Sequence, residues 1–289
     1  VSSGSPLGPY GGVTSDTLGF QTFIGGQNVI TGVGFTFKQG FAPQTGQSTY
    51  NSCEDAFLVM TTIDRQWVYN AGPTAYSTWN LQNRNTGASV YLEEGTGLYP
   101  AAPNNDQRLI LIRFKNIEQW LPTACTIASA QLRLRVQNYV YAAPSLAHRV
   151  YVAPLLKDWG EGTGSRATGD EGYHPVGGDV CWTAARWRAE TWQGSGARGP
   201  ADVGAPTAYT DVPVGTGAWR TWTVPASVVQ NWVTNPTQNF GLKLSQDDMI
   251  AGPTGLYTMG VFRYMSRQST QTVSNVANGG RPQLIVTIT

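Results

Sequence analysis

The chain has 289 residues, of which 13% are charged and 40% are hydrophobic, and its formal net charge is +1. Its basic residues are scattered singly rather than clustered, which disfavours binding to nucleic acid. No apolar run approaches the roughly 18 residues that a membrane-spanning helix needs, so membrane insertion is also disfavoured. The 34 glycines and 17 prolines predict many turns, as in an all-β protein.

The first 50 residues differ from the rest of the chain. They are rich in Gly, Ser and Thr, almost uncharged, and contain only short apolar stretches. Such a segment has too little apolar mass to fold alone. We therefore predict an N-terminal β-rich arm (residues 1–50) followed by one β-sandwich domain (residues 51–289). The arm either packs on its own domain or adds a strand to a neighbouring copy, which would make the protein a homo-oligomer.

From residue 53 onward, short strand patterns alternate with turn signals, which is typical of a sandwich or barrel. Residues 109–114 are almost continuously apolar and predict a central strand covered on both faces. Residues 131–136 alternate strictly, so Leu132, Leu134 and Val136 should point inward. Further strands are predicted at residues 56–61, 149–153, 219–224, 240–244, 261–264 and 284–288.

The best helix signal lies at residues 225–233. A proline stands early in this segment, and its apolar residues share one face of a helix. No alternation of strands and helices is present, which argues against a parallel α/β sheet. The sequence therefore predicts an all-β sandwich with one short helix.

Five stretches in a fixed order carry a family resemblance. They are residues 54–58, 109–134 with a Leu-Pro loop, 157–161 with a later Trp, 228–244 and 262–287. Together they resemble the DNRLRE domain family, although the hexapeptide that names the family is absent in that form. The resemblance covers residues 53–289 and implies a two-sheet antiparallel jelly-roll β-sandwich. It also implies an extracellular or surface-displayed protein, because the family comprises carbohydrate-binding modules and modules of structural surface proteins.

Residues with catalytic potential are few. The two histidines, His148 and His174, leave little room for a His-based triad or a three-His metal site. Pairs of acidic residues could serve glycoside hydrolysis. These pairs are Asp158 with Glu161, Asp170 with Glu171, and Asp247 with Asp248. For the first pair the resemblance implies a structural role, so we predict a non-catalytic protein, with polysaccharide lyase or hydrolase activity as a minor alternative.

The ten tryptophans indicate a sugar-binding surface, since an exposed aromatic ring stacks on a pyranose while nearby polar groups bind its hydroxyls. We assign Trp120, Trp159, Trp222 and Trp232 to the core. The predicted carbohydrate-binding residues of a first loop are Trp182, Trp187, Trp192, Arg186, Arg188 and Gln193. Those of a second loop are Trp67, Tyr76 and Trp79. Alternatively, both loops are fastened to the domain by their own aromatic rings.

Calcium often braces jelly-roll modules through carboxylates near strand ends. The predicted ligands of a structural calcium ion are Asp55, Asp247 and Asp248. The three cysteines, Cys53, Cys125 and Cys181, form either one disulfide and one free thiol or three buried free thiols.

Two functions fit these patterns. The first is a non-catalytic extracellular module that binds surface or matrix polysaccharide. The alternative is a structural subunit of an extracellular assembly that uses the N-terminal arm for contacts between copies. Such an assembly would be a virion with decoration or tail proteins, a surface layer or a filament.

Overall fold

The computed structural model describes residues 22–24, 27–29, 46–50, 53–60, 84–97, 106–119, 121, 124–139, 148–164, 175–213, 215–246, 260–269 and 280–289. In these ranges most elements are β-strands, and one α-helix, α1 (Ala226–Thr234), is present. Single 3-10 turns occur at Ile117–Gln119 and Pro236–Gln238.

The strands are numbered in chain order. They are β1 (Thr22–Ile24), β2 (Gln27–Val29), β3 (Gly46–Tyr50), β4 (Glu54–Met60), β5 (Tyr91–Gly97), β6 (Asp106–Arg113), β7 (Ile127–Tyr139), β8 (His148–Pro154), β9 (Ala184–Arg186), β10 (Glu190–Thr191), β11 (Ala208–Val212), β12 (Trp219–Val224), β13 (Leu242–Gln246), β14 (Gly260–Met265) and β15 (Gln283–Ile288).

All strand pairs in the described residues are antiparallel, and most strands join in the order β11-β8-β13-β6-β5-β14-β7-β15-β3. Strand β4 pairs with β6, and β12 pairs with β7. The long strand β7 belongs to both layers: its first part pairs with β12 and β15, whereas its last residues pair with β14. The sheet therefore folds over on itself at β7. The predicted all-β antiparallel sandwich with one short helix is confirmed.

The alternation predicted along β7 is confirmed. Leu132, Leu134 and Val136 are fully buried in the core between the layers, whereas Gln131 is exposed. The two arginines between the buried positions are half-buried on the outer face. This arrangement follows from the two-residue period of a strand that covers a core with one face.

Strand β6 is covered on both faces, as its continuous apolar sequence predicts. Ile110 and Ile112 belong to the core between the layers. Leu109 and Leu111 face the other way and belong to a second core, which also contains three tryptophans. Each such side chain contributes about 2 kcal/mol by its burial.

The start of β13 lies two residues later than predicted. Gly241 precedes the strand with φ +86°, and a Cβ atom at this position would lie 2.2 Å from the backbone oxygen of Ile112. Two positions earlier, the side chain of Asn239 donates a hydrogen bond to the backbone oxygen of Phe114. The close turn at Gly241 therefore delays the strand.

The helix α1 is where the sequence predicts it. Pro225 occupies the position before its first turn, and Asn235 follows its last residue. Val229 and Trp232 are buried in the core between the layers, and Trp222 is buried there too. Trp159 lies in the second core, so three of the four predicted core tryptophans are confirmed; Trp120 lies outside the described residues.

The end of the N-terminal arm is part of the main sheet. Strand β3 pairs along its full length with β15 of the same chain. Strands β1 and β2 form a separate two-stranded sheet. Cys53, Cys125 and Cys181 are free, buried thiols. None of the described helices is long and apolar enough to cross a membrane.

Candidate functional site

A layer of irregular chain covers the outer face of β6 and β13. We call residues 155–164 and 175–204 the outer layer. Trp159, Trp182 and Trp192 are buried between this layer and the sheet, where they pack with the leucines of β6. The indole N–H of Trp159 donates to the backbone oxygen of Phe240 at 2.9 Å. Large apolar side chains thus anchor the layer, and the indole N–H groups of Trp159 and Trp192 have backbone acceptors.

Two of the predicted sugar-stacking residues are buried supports. Trp182 is 2% exposed and Trp192 is 5% exposed. The ring of Trp182 lies under the guanidinium of Arg198 at 5.0 Å and against the backbone of Gly196. The indole N–H of Trp192 donates to the backbone oxygen of Cys181. Because buried rings offer no face to a ligand, the structure corrects the prediction for Trp182 and Trp192 and fits the alternative of fastening by aromatic rings.

Trp187 and Arg188 occupy the tip of a short hairpin formed by β9 and β10. The turn is closed by a hydrogen bond from the backbone N–H of Ala189 to the oxygen of Arg186. Trp187 is half-buried and Arg188 is exposed. Arg188 has φ 62°, which is a left-handed backbone conformation. At the third position of such a turn this conformation is usually adopted by glycine or asparagine.

The other two predicted residues of this loop take part in contacts within the layer. Arg186 forms an ion pair with Asp158. The side-chain oxygen of Gln193 accepts the backbone N–H of Ala201 at 2.8 Å. Both side chains remain partly accessible and border the hairpin, so they can contact a ligand only at the edge of the tip.

The chain that follows the hairpin is held by Asp202, which the sequence analysis did not single out. Its carboxylate is fully buried and accepts three backbone N–H groups, from Gln193, Gly194 and Gly199, at 2.9–3.1 Å. The ammonium of Lys157 lies 3.4 Å away. This arrangement fixes the chain that follows β10. The signal for this arrangement in the sequence is the presence of two glycines, Gly194 and Gly199, close to Asp202.

The acidic pair Asp158 and Glu161 is neutralised by arginines. Asp158 forms ion pairs with Arg113 and Arg186. Partial burial alone would raise the pKa of Asp158, but the hydrogen bond and charge of Arg113 lead the effects that hold it below its ordinary value. Glu161 makes a two-point contact with Arg267. Both carboxylates therefore stabilise the layer. The other two acidic pairs lie outside the described residues.

Asp55 lies where the outer layer meets the sheet. Its carboxylate is 1% exposed, and its Oδ2 accepts the backbone N–H of Arg267 at 2.7 Å. The backbone N–H of Asp55 donates to Glu161 at 2.9 Å. Among the described residues, no group of three or more His, Cys, Asp or Glu side chains is placed to hold a metal ion. The other predicted calcium ligands, Asp247 and Asp248, lie outside the described residues, so the calcium site stays a prediction.

The buried lysine Lys243 lies under the outer layer on β13. Its ammonium donates to the backbone oxygen of Ala197 at 2.9 Å. Burial, together with the positive charge of Arg198, lowers the pKa of Lys243 to about 8, and the charge of Asp202 opposes this shift. A charge that is easily lost thus lies beneath the outer layer.

Other aromatic rings are accessible on the outside of the sandwich. Trp219 is half-buried, and the guanidinium of Arg133 lies 4.8 Å from the centre of its ring. Tyr209 is 51% exposed and stacks with Arg149 at 4.0 Å. Both rings project from strands rather than loops, so the search for aromatic residues in polar loops missed them. The second predicted loop, with Trp67, Tyr76 and Trp79, lies outside the described residues, as does His174.

Comparisons with known proteins add no assignment. No family model matches the chain. A search of curated proteins also found no match. The resemblance to the DNRLRE family therefore stays a prediction from the five stretches.

Proposed function

We propose that this protein is a non-catalytic extracellular module that binds surface or matrix polysaccharide through the Trp187–Arg188 hairpin. The main support for the proposal is the left-handed backbone conformation of Arg188. A residue with a Cβ atom costs about 1 kcal/mol or more in the left-handed conformation, where glycine costs nothing comparable. Backbone strain at the exposed tip of the hairpin, next to Trp187, supports a role of this tip in ligand recognition.

The chemistry of the tip suits a sugar. An indole ring stacks on the apolar face of a pyranose, and a guanidinium beside it donates hydrogen bonds to hydroxyl or carboxylate oxygens. The outer layer holds the tip in place through its buried tryptophans and the Asp202 carboxylate. A rigid site loses less conformational entropy on binding. The arginine partners of Asp158 and Glu161 further support a non-catalytic role.

Trp187→Ala is the direct test of this surface. We expect the wild-type protein to bind at least one member of a panel of neutral and acidic polysaccharides, measured by affinity electrophoresis and calorimetry. The variant should bind at least about tenfold more weakly, since stacking and hydrogen bonding at one aromatic residue contribute roughly 1–3 kcal/mol. Trp219→Ala is the matched control, because it removes a half-buried tryptophan on another face of the sandwich.

Two results would contradict the proposal. One is a wild-type protein that binds no member of the panel. The other is a loss of binding that is equal in the Trp187 and Trp219 variants. Release of reducing ends or of unsaturated products from any polysaccharide would instead support the lyase or hydrolase alternative.

Arg188→Gly separates stability from recognition at the same tip. Removing the Cβ atom relieves the left-handed backbone, so we expect the free energy of unfolding to rise by about 0.5–1 kcal/mol. Polysaccharide affinity should fall, because the guanidinium is lost. Urea denaturation and calorimetry on one preparation measure both effects. A variant that is more stable and binds as well as the wild type would exclude Arg188 from the site.

A structural subunit is a second candidate, favoured by the hairpin of β1 and β2. A two-stranded sheet is marginally stable alone and needs a surface to pack on. In this structure β2 lies against β3 of the same chain, and the second candidate adds that a neighbouring copy also packs on the hairpin. Deleting residues 1–45 keeps β3 on β15 while removing the hairpin. Light scattering should then show smaller particles if the hairpin joins copies, and an unchanged monomer if it does not.

A further inference from the structure

We propose that Tyr151 and Tyr209 form a second carbohydrate-binding surface, which takes uncharged sugar residues of the polysaccharide. Tyr151 is in β8 and Tyr209 is in β11, and the two residues are directly opposite each other in these paired strands. Their ring centres are 5.6 Å apart, with 50° between the ring planes. We call these two residues, with Arg149 and Asp211, the tyrosine platform. The inference rests on the proposed function, but it concerns a surface separate from the Trp187–Arg188 hairpin.

The tyrosine platform is the part of a sheet face that the outer layer leaves uncovered. Ala153 and Tyr151 are two residues apart on β8, so their side chains point to the same side of the sheet. Ala153 is opposite Lys243 of β13, whose ammonium contacts the outer layer at Ala197. Ala153 is buried, whereas Tyr151 is half-buried and Tyr209 is 51% exposed. The platform therefore lies beside the outer layer, on the same side of the sheet as the hairpin.

The charges of the tyrosine platform cancel. Arg149 is directly opposite Asp211, and its Nε donates to the carboxylate at 2.9 Å. The phenol of Tyr151 is a further hydrogen-bond partner of this guanidinium. The Arg149 and Asp211 side chains are 44% and 57% exposed, so N–H donors and carboxylate acceptors both face the solvent.

A surface with both donors and acceptors suits hydroxyl groups, because a hydroxyl donates one hydrogen bond and accepts others. An acidic sugar would instead bring its own negative charge towards the Asp211 carboxylate, and like charges at an interface oppose binding. The platform therefore favours neutral sugar residues over uronic acids or sulfated sugars.

Tyr209 supplies the main stacking contact. The guanidinium of Arg149 lies 4.0 Å from the centre of its ring, which places a cation on one face and fastens the ring to the sheet. Half of the residue stays exposed. A pyranose stacked on the exposed part of this ring has its hydroxyls next to the ion pair of Arg149 and Asp211. Tyr151 offers an inclined second ring for the neighbouring sugar of a twisted chain.

A purely structural role of the two tyrosines predicts a different result. Cross-strand aromatic pairs stabilise a sheet, so Tyr209→Ala lowers the free energy of unfolding in either case. Only a sugar site adds a loss of affinity that Tyr209→Phe avoids, because phenylalanine keeps the ring. Leu156→Ala is the matched control, since Leu156 is a large apolar residue of the outer layer with a similar exposure of 49%.

Calorimetry of the whole chain with cellohexaose, mannohexaose and xylohexaose tests the platform. We expect the wild type to bind at least one of these neutral oligosaccharides. Tyr209→Ala should bind it at least about fivefold more weakly, because the loss of an anchoring aromatic ring commonly has an effect of that size. Tyr209→Phe and Leu156→Ala should bind it as tightly as the wild type. In the Trp187→Ala background, Tyr209→Ala should weaken the remaining binding further.

Nitration of the wild type gives a second measurement that needs no variant of the platform. Tetranitromethane modifies exposed tyrosine rings, and mass spectrometry of peptides locates the product. The bound oligosaccharide should slow the nitration of Tyr209 in proportion to the fraction of protein in the complex. A structural tyrosine pair would be nitrated at the same rate with and without the sugar.

Three results would overturn the proposal. One is a wild type that binds none of the three neutral oligosaccharides, even if it binds acidic polysaccharides through the hairpin. Another is a Tyr209→Ala variant that binds as tightly as the wild type. The third is a growth of particle size with concentration, seen by light scattering, that Tyr209→Ala abolishes, since the platform would then join two copies. Failure of the hairpin proposal looks different, because Trp187→Ala would then bind as tightly as the wild type while Tyr209→Ala would not.

Discussion

Asp202→Ala is expected to lower the free energy of unfolding by about 3–5 kcal/mol. The carboxylate is fully buried and is the acceptor for three backbone N–H groups. Alanine leaves these donors without an acceptor in a site that water reaches poorly, and each unsatisfied donor costs about 1–3 kcal/mol. It also leaves the ammonium of Lys157 without its buried partner. Urea denaturation followed by tryptophan fluorescence measures the loss.

Asp211→Ala is the matched control for this substitution. Asp211 also forms an ion pair with a basic residue, Arg149, but both side chains are on the surface of β11 and β8. Exposed ion pairs contribute little because water solvates the separated charges. The control should therefore change the free energy of unfolding far less than Asp202→Ala does. Equal effects in the two variants would show that the buried carboxylate does not hold the layer.

Gly87→Ala is expected to lower the free energy of unfolding by about 3 kcal/mol or more. A Cβ atom on Gly87 would lie 1.9 Å from the backbone oxygen of Glu161, so the two segments must separate. Separation also breaks the hydrogen bonds that Asn85 makes across the same gap. An overpacked backbone contact cannot relax by a change of rotamer, which explains the large effect.

Gly177→Ala tests whether this effect depends on the contact. A Cβ atom there meets nothing within 4 Å, and its backbone does not require glycine. The control should leave the free energy of unfolding unchanged or raise it by up to about 1 kcal/mol, because alanine restricts the unfolded chain. Hydrogen exchange should show lost protection at residues 160–164 in the Gly87 variant only. A Gly87 variant as stable as the Gly177 variant would contradict the described packing.

The architecture could be predicted from the sequence wherever the burial of an element determines its hydrophobic pattern. Strand β7 alternates because one side of it covers the core, and β6 is continuously apolar because two cores enclose it. The helix α1 was found by its proline and its apolar face. The start of β13 was missed, because the position of Gly241 depends on a backbone contact with Ile112. Contacts between distant segments leave no local pattern.

The site was harder to predict for the same reason. The sequence places Trp182, Trp187 and Trp192 together in a loop rich in polar residues, and it does not show which rings face the sheet. The structure buries the first and the last and leaves Trp187 at the turn. The hydrogen bonds of Asp55 connect it with residues that are 106 and 212 positions away in the sequence. A short list of acidic residues could include Asp55, but it could not identify its partners.

The position of β15 has a consequence for the order of folding. This strand lies between β3 and β7 and is hydrogen-bonded to both. Strands β3 and β7 do not pair with each other, so their layer is incomplete until residues 283–288 insert between them. Loop closure over such sequence distances is entropically costly and makes folding slow. Until that insertion, two strand edges stay open to other chains, and the protein is then most prone to aggregate.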